Sequence, residues 1–218
     1  MQDVIRMRHI TKSYSTGSER LVVLDDLNLT VQEGEFLAIT GQSGSGKSTL
    51  MNIIGCLDKA DSGSYCLDHT AIESCSEKEL SAVRSRKISF VFQSFNLIPS
   101  MSALENVALP LVYRGVRRSE REAIAAKALQ EVGLSHRMHH LPGQMSGGQQ
   151  QRTAIARAIA ASPRILLADE PTGSLDSRSG EEILSVLRQM NRHGVTVIMI
   201  THDRQLAEMA DRQLHICH

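Results

Sequence analysis

This sequence predicts an α/β fold, from three observations. Four short apolar runs are flanked by polar residues or glycine: Glu35-Phe36-Leu37-Ala38-Ile39-Thr40, Ile88-Ser89-Phe90-Val91-Phe92, Ile165-Leu166-Leu167-Ala168 and Val195-Thr196-Val197-Ile198-Met199-Ile200. Their hydrophobicity is continuous rather than alternating, as in strands of a parallel sheet covered on both faces. Helical patterns lie between them, which is the alternation of an α/β protein.

The elements are taken in chain order. Val4-Ile5-Arg6-Met7 and Val22-Val23-Leu24, on either side of the polar stretch from Ser13 to Arg20, predict an N-terminal antiparallel β layer beside the main sheet. From Lys47 to Leu57, Leu50, Ile53, Ile54 and Leu57 share one side, so a helix is expected there. Residues 94–159 hold no buried-type strand. They begin with an extended, proline-marked segment. A helix then starts near Ser119, with Glu122 completing a capping box and Ile124, Ala128, Leu129 and Val132 as its apolar face. A further helix opens at Ser146, whose capping-box partner is Gln149; Ile155, Ala156, Ile159 and Ala160 line its face. Another helical pattern runs from Ser179 to Met190. The middle third therefore reads as an α-helical insertion. One domain is expected, its core and β layer at 1–93 and 160–218 and its helical subdomain at 94–159, with no repeat, low-complexity tract or linker.

Composition narrows the class. The chain has 218 residues, with 24 basic residues balancing 24 acidic ones. No bulk charge draws it to nucleic acid or anionic lipid. Four phenylalanines, three tyrosines and no tryptophan form no basic-aromatic stripe for stacking bases. Cys56, Cys66, Cys75 and Cys217 make no CxxC pair and are read as reduced thiols of an intracellular protein. The N-terminal MQDVIRMRHI lacks a signal-peptide apolar core, and no apolar stretch is long enough to span a bilayer. A soluble intracellular domain is expected, with no direct membrane insertion. His136, His139 and His140 sit in SHRMHHLPG, which reads as a polar loop rather than a metal site.

Function is carried by the residues at the end of each apolar run. After the first comes Gly41-Gln42-Ser43-Gly44-Ser45-Gly46-Lys47-Ser48, which fits the G-x-x-x-x-G-K-[ST] loop. Its glycines let backbone N–H groups curl round phosphates, and the helix behind adds the positive end of its dipole. Lys47 is expected to reach the β- and γ-phosphates and the Ser48 hydroxyl to bind Mg²⁺. The second run ends at Gln93, on its own either a solvated strand end or a functional group. The third ends at Asp169-Glu170. Neighbours in an extended chain point opposite ways, so Asp169 can hold Mg²⁺ while Glu170 polarises a water for in-line attack. The fourth ends at Thr201-His202-Asp203, and His202 by itself is either structural or a site imidazole. Four buried strands thus deliver phosphate, metal or proton-handling groups to their carboxyl ends, where open α/β sheets bind ligands. The sequence predicts binding and hydrolysis of a nucleoside triphosphate.

Ser146-Gly147-Gly148-Gln149 adds a second candidate anion site. Glycine costs a helix up to about 1 kcal/mol relative to alanine, yet two glycines fill this first turn. One reading is an ordinary capped helix. The other is a helix start kept clear of side chains for a phosphate. The P-loop already cradles the phosphates of its own chain. The second site therefore makes sense if two copies meet head to tail and each SGG closes on the partner's γ-phosphate.

These motifs resemble those of the ATP-binding subunits of ABC transporters across essentially the whole chain. Gly41 to Thr49 is similar to their Walker A loop and Ile165 to Glu170 to Walker B with its catalytic glutamate. Gln93 resembles the Q-loop glutamine, a further Mg²⁺ ligand. Ser174-Leu175-Asp176 resembles the D-loop, and His202 the switch histidine. Met145 to Gln149 matches the signature loop, with methionine in place of the usual leucine, a swap of similar volume. Tyr14 stands where the family stacks an aromatic on adenine; its other reading is a packing residue of the β layer. The resemblance implies a P-loop NTPase (RecA-like) core and a homodimer that sandwiches two Mg-ATP. It also implies a separate transmembrane permease subunit and a place on the cytoplasmic face of a bacterial membrane. In the family the region Ser94 to Val116 helps form the groove for a permease coupling helix.

The segments STLMNIIGCLDKADSGSY, FVFQSFNLIP, SALENVALPLVYRGV and LADEPTGSLDS resemble the macrolide-exporter and lipoprotein-releasing subfamily, which implies drugs, peptides or lipoproteins as cargo. Unlike many relatives, the chain stops at His218, soon after a predicted last strand. Two competing readings are an ABC ATPase acting on DNA ends or ribosomes and an ATP-dependent scaffold of the cell envelope. The short span from Lys47 to Gln93 leaves no room for a coiled-coil arm, against the first. Glu170 and His202 argue against the second. A P-loop kinase would not explain the glycine pair.

Overall fold

A computed structural model describes residues 2–16 and 19–216. Cys217 and His218, and Gly17 and Ser18 of the polar stretch in the β layer, lie outside the described residues. The chain divides into two compact units, 1–84 with 196–218, and 85–195.

In the first unit, β1 (Asp3–Thr16) pairs antiparallel with β2 (Glu19–Gln32). On its other side β1 pairs with β4 (Ser62–Leu67), which carries the two-residue β5 (Thr70–Ala71). The antiparallel layer agrees with expectation, but its strands run well beyond the short apolar segments that announce it. Ile5, Met7 and Ile10 are buried whereas Arg6 and Arg8 are exposed, so most of β1 is half-buried and alternating rather than apolar. β4 escapes sequence reading because only Tyr65 and Leu67 of its six residues are buried. Beside this layer, β3 (Phe36–Gly41) lies parallel between β8 (Thr196–Ile200) and β9 (Arg212–Ile216). Phe36 to Ile39 and Val197 to Ile200 are at most 1% exposed, the continuous burial that their composition predicts. Helices α1 (Lys47–Ile54), α2 (Glu77–Lys87) and α7 (Arg204–Glu208) complete the unit, the end of α2 passing into the second.

In the second unit β6 (Ile88–Phe92) and β7 (Ile165–Asp169) pair in parallel. Four helices accompany them: α3 (Ala103–Tyr113), α4 (Arg118–Glu131), α5 (Gly147–Ala160) and α6 (Ser177–Arg192). The middle of the chain is helical, as expected, but its first piece is not extended throughout. Ser102 and Glu105 form a capping box that starts α3, and Pro110 sits inside the helix. The fully buried Asn106 ties α3 to the loop before it, accepting from the Ile98 N–H at 2.7 Å and donating to the carbonyls of Ile98, Met101 and Ser102. The expected Ser119–Glu122 capping box is absent: the N-cap of α4 is Arg117, two residues before Ser119. The Glu122 carboxylate instead accepts from the Arg118 guanidinium at 2.8 Å. The histidine loop serves α3, since the carbonyls of His140 and Met138 accept from the N–H groups of Ala103 and Leu104.

Among the described residues no helix is long and apolar enough to cross a membrane. Cys56, Cys66 and Cys75 are free, and burial pushes the Cys56 thiol up to about 11.

Candidate active site

In the first unit the chain leaves β3 at Gly41 and enters α1 at Lys47. Gly46, the N-cap, has φ 92°, and a Cβ there would stand 2.9 Å from the Val23 carbonyl oxygen. Only glycine takes this turn without displacing β2. No side chain caps α1, so its first-turn N–H groups face the loop, as a phosphate cradle requires. The Lys47 ammonium folds back over the loop, donating to the carbonyls of Gly41 (2.8 Å) and Gln42 and lying 3.4 Å from Ser45 Oγ. All three partners are neutral, so the loop concentrates positive charge. Gln42, Ser43, Gly44 and Ser48 are exposed on it.

The same unit brings His202 to this edge. β3 and β8 are parallel with Ile39 opposite Ile200, and the Thr201 N–H donates to the Ile39 carbonyl. The chain therefore leaves β8 next to where the loop leaves β3. His202 is exposed there, and Asp203 turns the chain into α7 by accepting from the N–H groups of Gln205 and Leu206.

Tyr14, on β1, is 40% exposed. Its hydroxyl donates to Asp58 at 3.0 Å, and the Lys12 ammonium lies 5.2 Å from the ring centroid. Lys12 is itself buried, donating to Asp58 at 2.8 Å and to the Lys59 carbonyl. Burial pushes the Asp58 carboxyl up, but hydrogen bonds from Lys12, the Lys59 amide and Tyr14 outweigh it and leave the group below its ordinary value. Asp61 sits low because the Ser13 hydroxyl and amide donate to it. Sequence reading passes over Lys12, Asp58 and Asp61. Lys12, two residues before Tyr14 on the same strand, is the available signal.

In the second unit Phe92 is opposite Asp169, so Gln93 and Glu170 emerge side by side from the carboxyl ends of β6 and β7. Glu170 has φ +46°, an uncommon conformation for a side-chain-bearing residue, and its carbonyl accepts from the Gly173 N–H at 3.0 Å. A Cβ on Gly173 would lie 2.9 Å from Gln93 Nε2, which places the glutamine against the turn after Glu170.

The Ser146–Gln149 capping box forms as expected: Ser146 Oγ accepts from the Gln149 N–H at 3.3 Å, and Gln149 Oε1 accepts from the Ser146 N–H at 3.0 Å. Met145 is buried behind it. The glycines differ. A Cβ on Gly148 would meet Ser179 Oγ at 2.8 Å, so a side chain there would have to displace Ser179 of α6 in the same chain. A Cβ on Gly147 would make only ordinary contacts with Leu175 and Phe95, at 3.6 and 3.7 Å. Asp176 caps α6, accepting from the Ser179 N–H and hydroxyl at 2.9 and 2.8 Å, bonds that hold its carboxyl below the ordinary value. Ser174 is exposed in the loop before it.

The chain as a whole is similar to known proteins. Residues 24–173 fit the family model described as ABC transporter. The chain belongs to the ABC transporter ATP-binding family. It is 51% identical, over 98% of its length, to the uncharacterized ABC transporter ATP-binding protein YvrO of Bacillus subtilis (strain 168), covering 93% of that protein. It is also 51% identical to the macrolide export ATP-binding/permease protein MacB of Azoarcus sp. (strain BH72), but spans only 32% of that longer chain. The ATP-binding cassette MJ0796, solved as a dimer in a post-hydrolysis state bound to ADP and Pi, superposes with a TM-score of 0.90 at 45% identity, over 97% of this chain and 94% of that one. The fold is thus that of the P-loop NTPase cassettes, and the chain is an ABC-type ATPase.

Proposed function

We propose that the chain is the ATP-hydrolysing subunit of a transporter. It pairs head to tail with a second copy around two Mg-ATP and drives a separate membrane permease from the cytoplasmic face of a bacterial membrane. The observation that carries this reading is the Gly41–Ser48 loop closed round the Lys47 ammonium at the start of an uncapped helix. The dimeric MJ0796 structures support the pairing, and the macrolide-export relatives support export; drugs, peptides or lipoproteins, exported or released outside the cytoplasm, are the cargo that the subfamily resemblance suggests. The exposed Tyr113 and Val112 at the end of α3 offer apolar surface in the region assigned to the permease. We read the whole chain as one ABC ATP-binding domain.

In this mechanism Tyr14 stacks on adenine, and the N–H groups of residues 41–49 with Lys47 hold the phosphates. Ser48, Asp169 and Gln93 present only oxygen ligands, the donor set that suits a hard cation such as Mg²⁺. When bound, the ion neutralises charge on the phosphate oxygens. Glu170 accepts a proton from the attacking water, and His202 donates a hydrogen bond to the γ-phosphate as its bond to ADP breaks. Ser146, Gly147, Gly148 and Gln149 meet the γ-phosphate held by the partner, with Ser174 and Asp176 facing across the same junction. The test is phosphate release by the purified chain. ATP turnover should require Mg²⁺ and fall about a hundredfold or more in Lys47→Ala, the scale set by losing one preorganised charge donor. Unchanged turnover in Lys47→Ala would refute the assignment.

A further inference from the structure

Gln151 lies one turn into α5, four residues after Gly147. It is fully buried, its Nε2 donates to the Pro171 carbonyl at 2.6 Å, and its Oε1 is buried without a partner among the described residues. Packing alone does not account for an amide here. Methionine has the same length and would leave no polar atom stranded, so the glutamine is explained by the bond it makes to Pro171.

That bond falls on the residue after Glu170. A residue preceding proline is driven towards extended conformations, yet Glu170 stands at φ +46°. Such a conformation persists only where the surroundings over-determine it. In the second unit they do. Gln151 holds the Pro171 carbonyl, and the Glu170 carbonyl accepts from Gly173. Gln93 packs on Gly173, and Thr172 lies against Gly180 of α6.

We infer that Gln151 is a positioning residue for hydrolysis. Its amide fixes the Pro171 carbonyl, one peptide beyond Glu170, so it braces the turn that aims the Glu170 carboxylate and ties that turn to the start of α5. The inference rests on the reading of Glu170 as the base. Because the start of α5 is also the proposed contact with the partner's nucleotide, the same amide links arrival of that nucleotide to the readiness of this chain's base.

The test is steady-state ATP hydrolysis by Gln151→Met and Gln151→Asn, with thermal midpoints, beside Glu170→Gln. The first variant keeps side-chain length without the donor, and the second keeps an amide that falls short of Pro171. With the base misaimed, kcat should fall roughly tenfold to a hundredfold. The ATP KM should stay within about twofold, because the buried Gln151 amide is itself given no contact with ATP in this mechanism. Should Gln151→Met not fold, Gln151→Asn decides by the same split. A wild-type kcat in a folded variant, or a fall in kcat matched by a rise in KM and a lowered thermal midpoint, would overturn the inference. Full turnover in Glu170→Gln would instead overturn the reading of the base. A dead Glu170→Gln beside a fully active Gln151→Met would overturn the inference alone.

Discussion

Gly147 and Gly148 stand side by side at the start of α5 but answer to different neighbours. Gly148→Ala puts a Cβ 2.8 Å from Ser179 Oγ and should cost about 1–3 kcal/mol, the range for overpacking. Gly147→Ala meets only ordinary contacts and should leave the thermal midpoint unchanged or raise it, since alanine is the better helix former. Denaturant titration of the two variants separates them. The doubled glycine is legible as a demand for space, but the sequence holds no sign that α6 of the same chain makes half of that demand. Tyr14 is a similar case. Its candidacy is visible, whereas its anchor at Asp58 is not, because the partner lies far along the chain. Asp58→Asn should weaken ATP binding about twofold to tenfold, the worth of one ordered aromatic contact, as read by nucleotide titration. The folded Asp58 carboxyl lies below its ordinary value of about 4. It therefore stabilises the fold above that pH, and the contribution disappears as pH falls through the lower folded value. Acidification below about pH 4 should accordingly lower the thermal midpoint less in Asp58→Asn than in the parent.

At the scale of elements, legibility depends on how each element is buried. β3, β7 and β8 are buried almost throughout and β6 at three of its five residues, so their sequences are largely apolar and their positions are plain. β1 and β2 expose alternate residues, and only their most apolar stretches stand out. α3 is hidden by Pro110, which argues against a helix on propensity, while the capping box of Ser102 and Glu105 and the bonds of Asn106 hold it. Ser102→Ala should destabilise the chain by about 1 kcal/mol without altering ATP turnover, because it removes the cap of a helix that carries none of the proposed catalytic residues. The Ser119–Glu122 expectation fails because α4 starts at Arg118, which leaves Ser119 inside the first turn and the Glu122 carboxylate to the Arg118 guanidinium. The strand-end groups are legible as individuals. Which of them the sheets bring together emerges only from the register, with Ile39 opposite Ile200 and Phe92 opposite Asp169.

For the whole molecule, the proposed pairing makes one chain half of a machine. A P-loop that cradles phosphates and a helix start that can close on phosphate occur once each, and the proposed pairing assigns them to different nucleotides. The most direct measurement is sedimentation of Glu170→Gln, which should bind ATP without consuming it, with and without Mg-ATP. The control is Gly147→Asp in the same background. It sets a carboxylate at the helix start without the collision with Ser179 that a side chain at Gly148 would cause. The expected result is a mass that doubles only with ATP and a doubling abolished by Gly147→Asp. A mass that stays at one chain with ATP bound, or a dimer indifferent to both ATP and Gly147→Asp, would contradict the head-to-tail pairing.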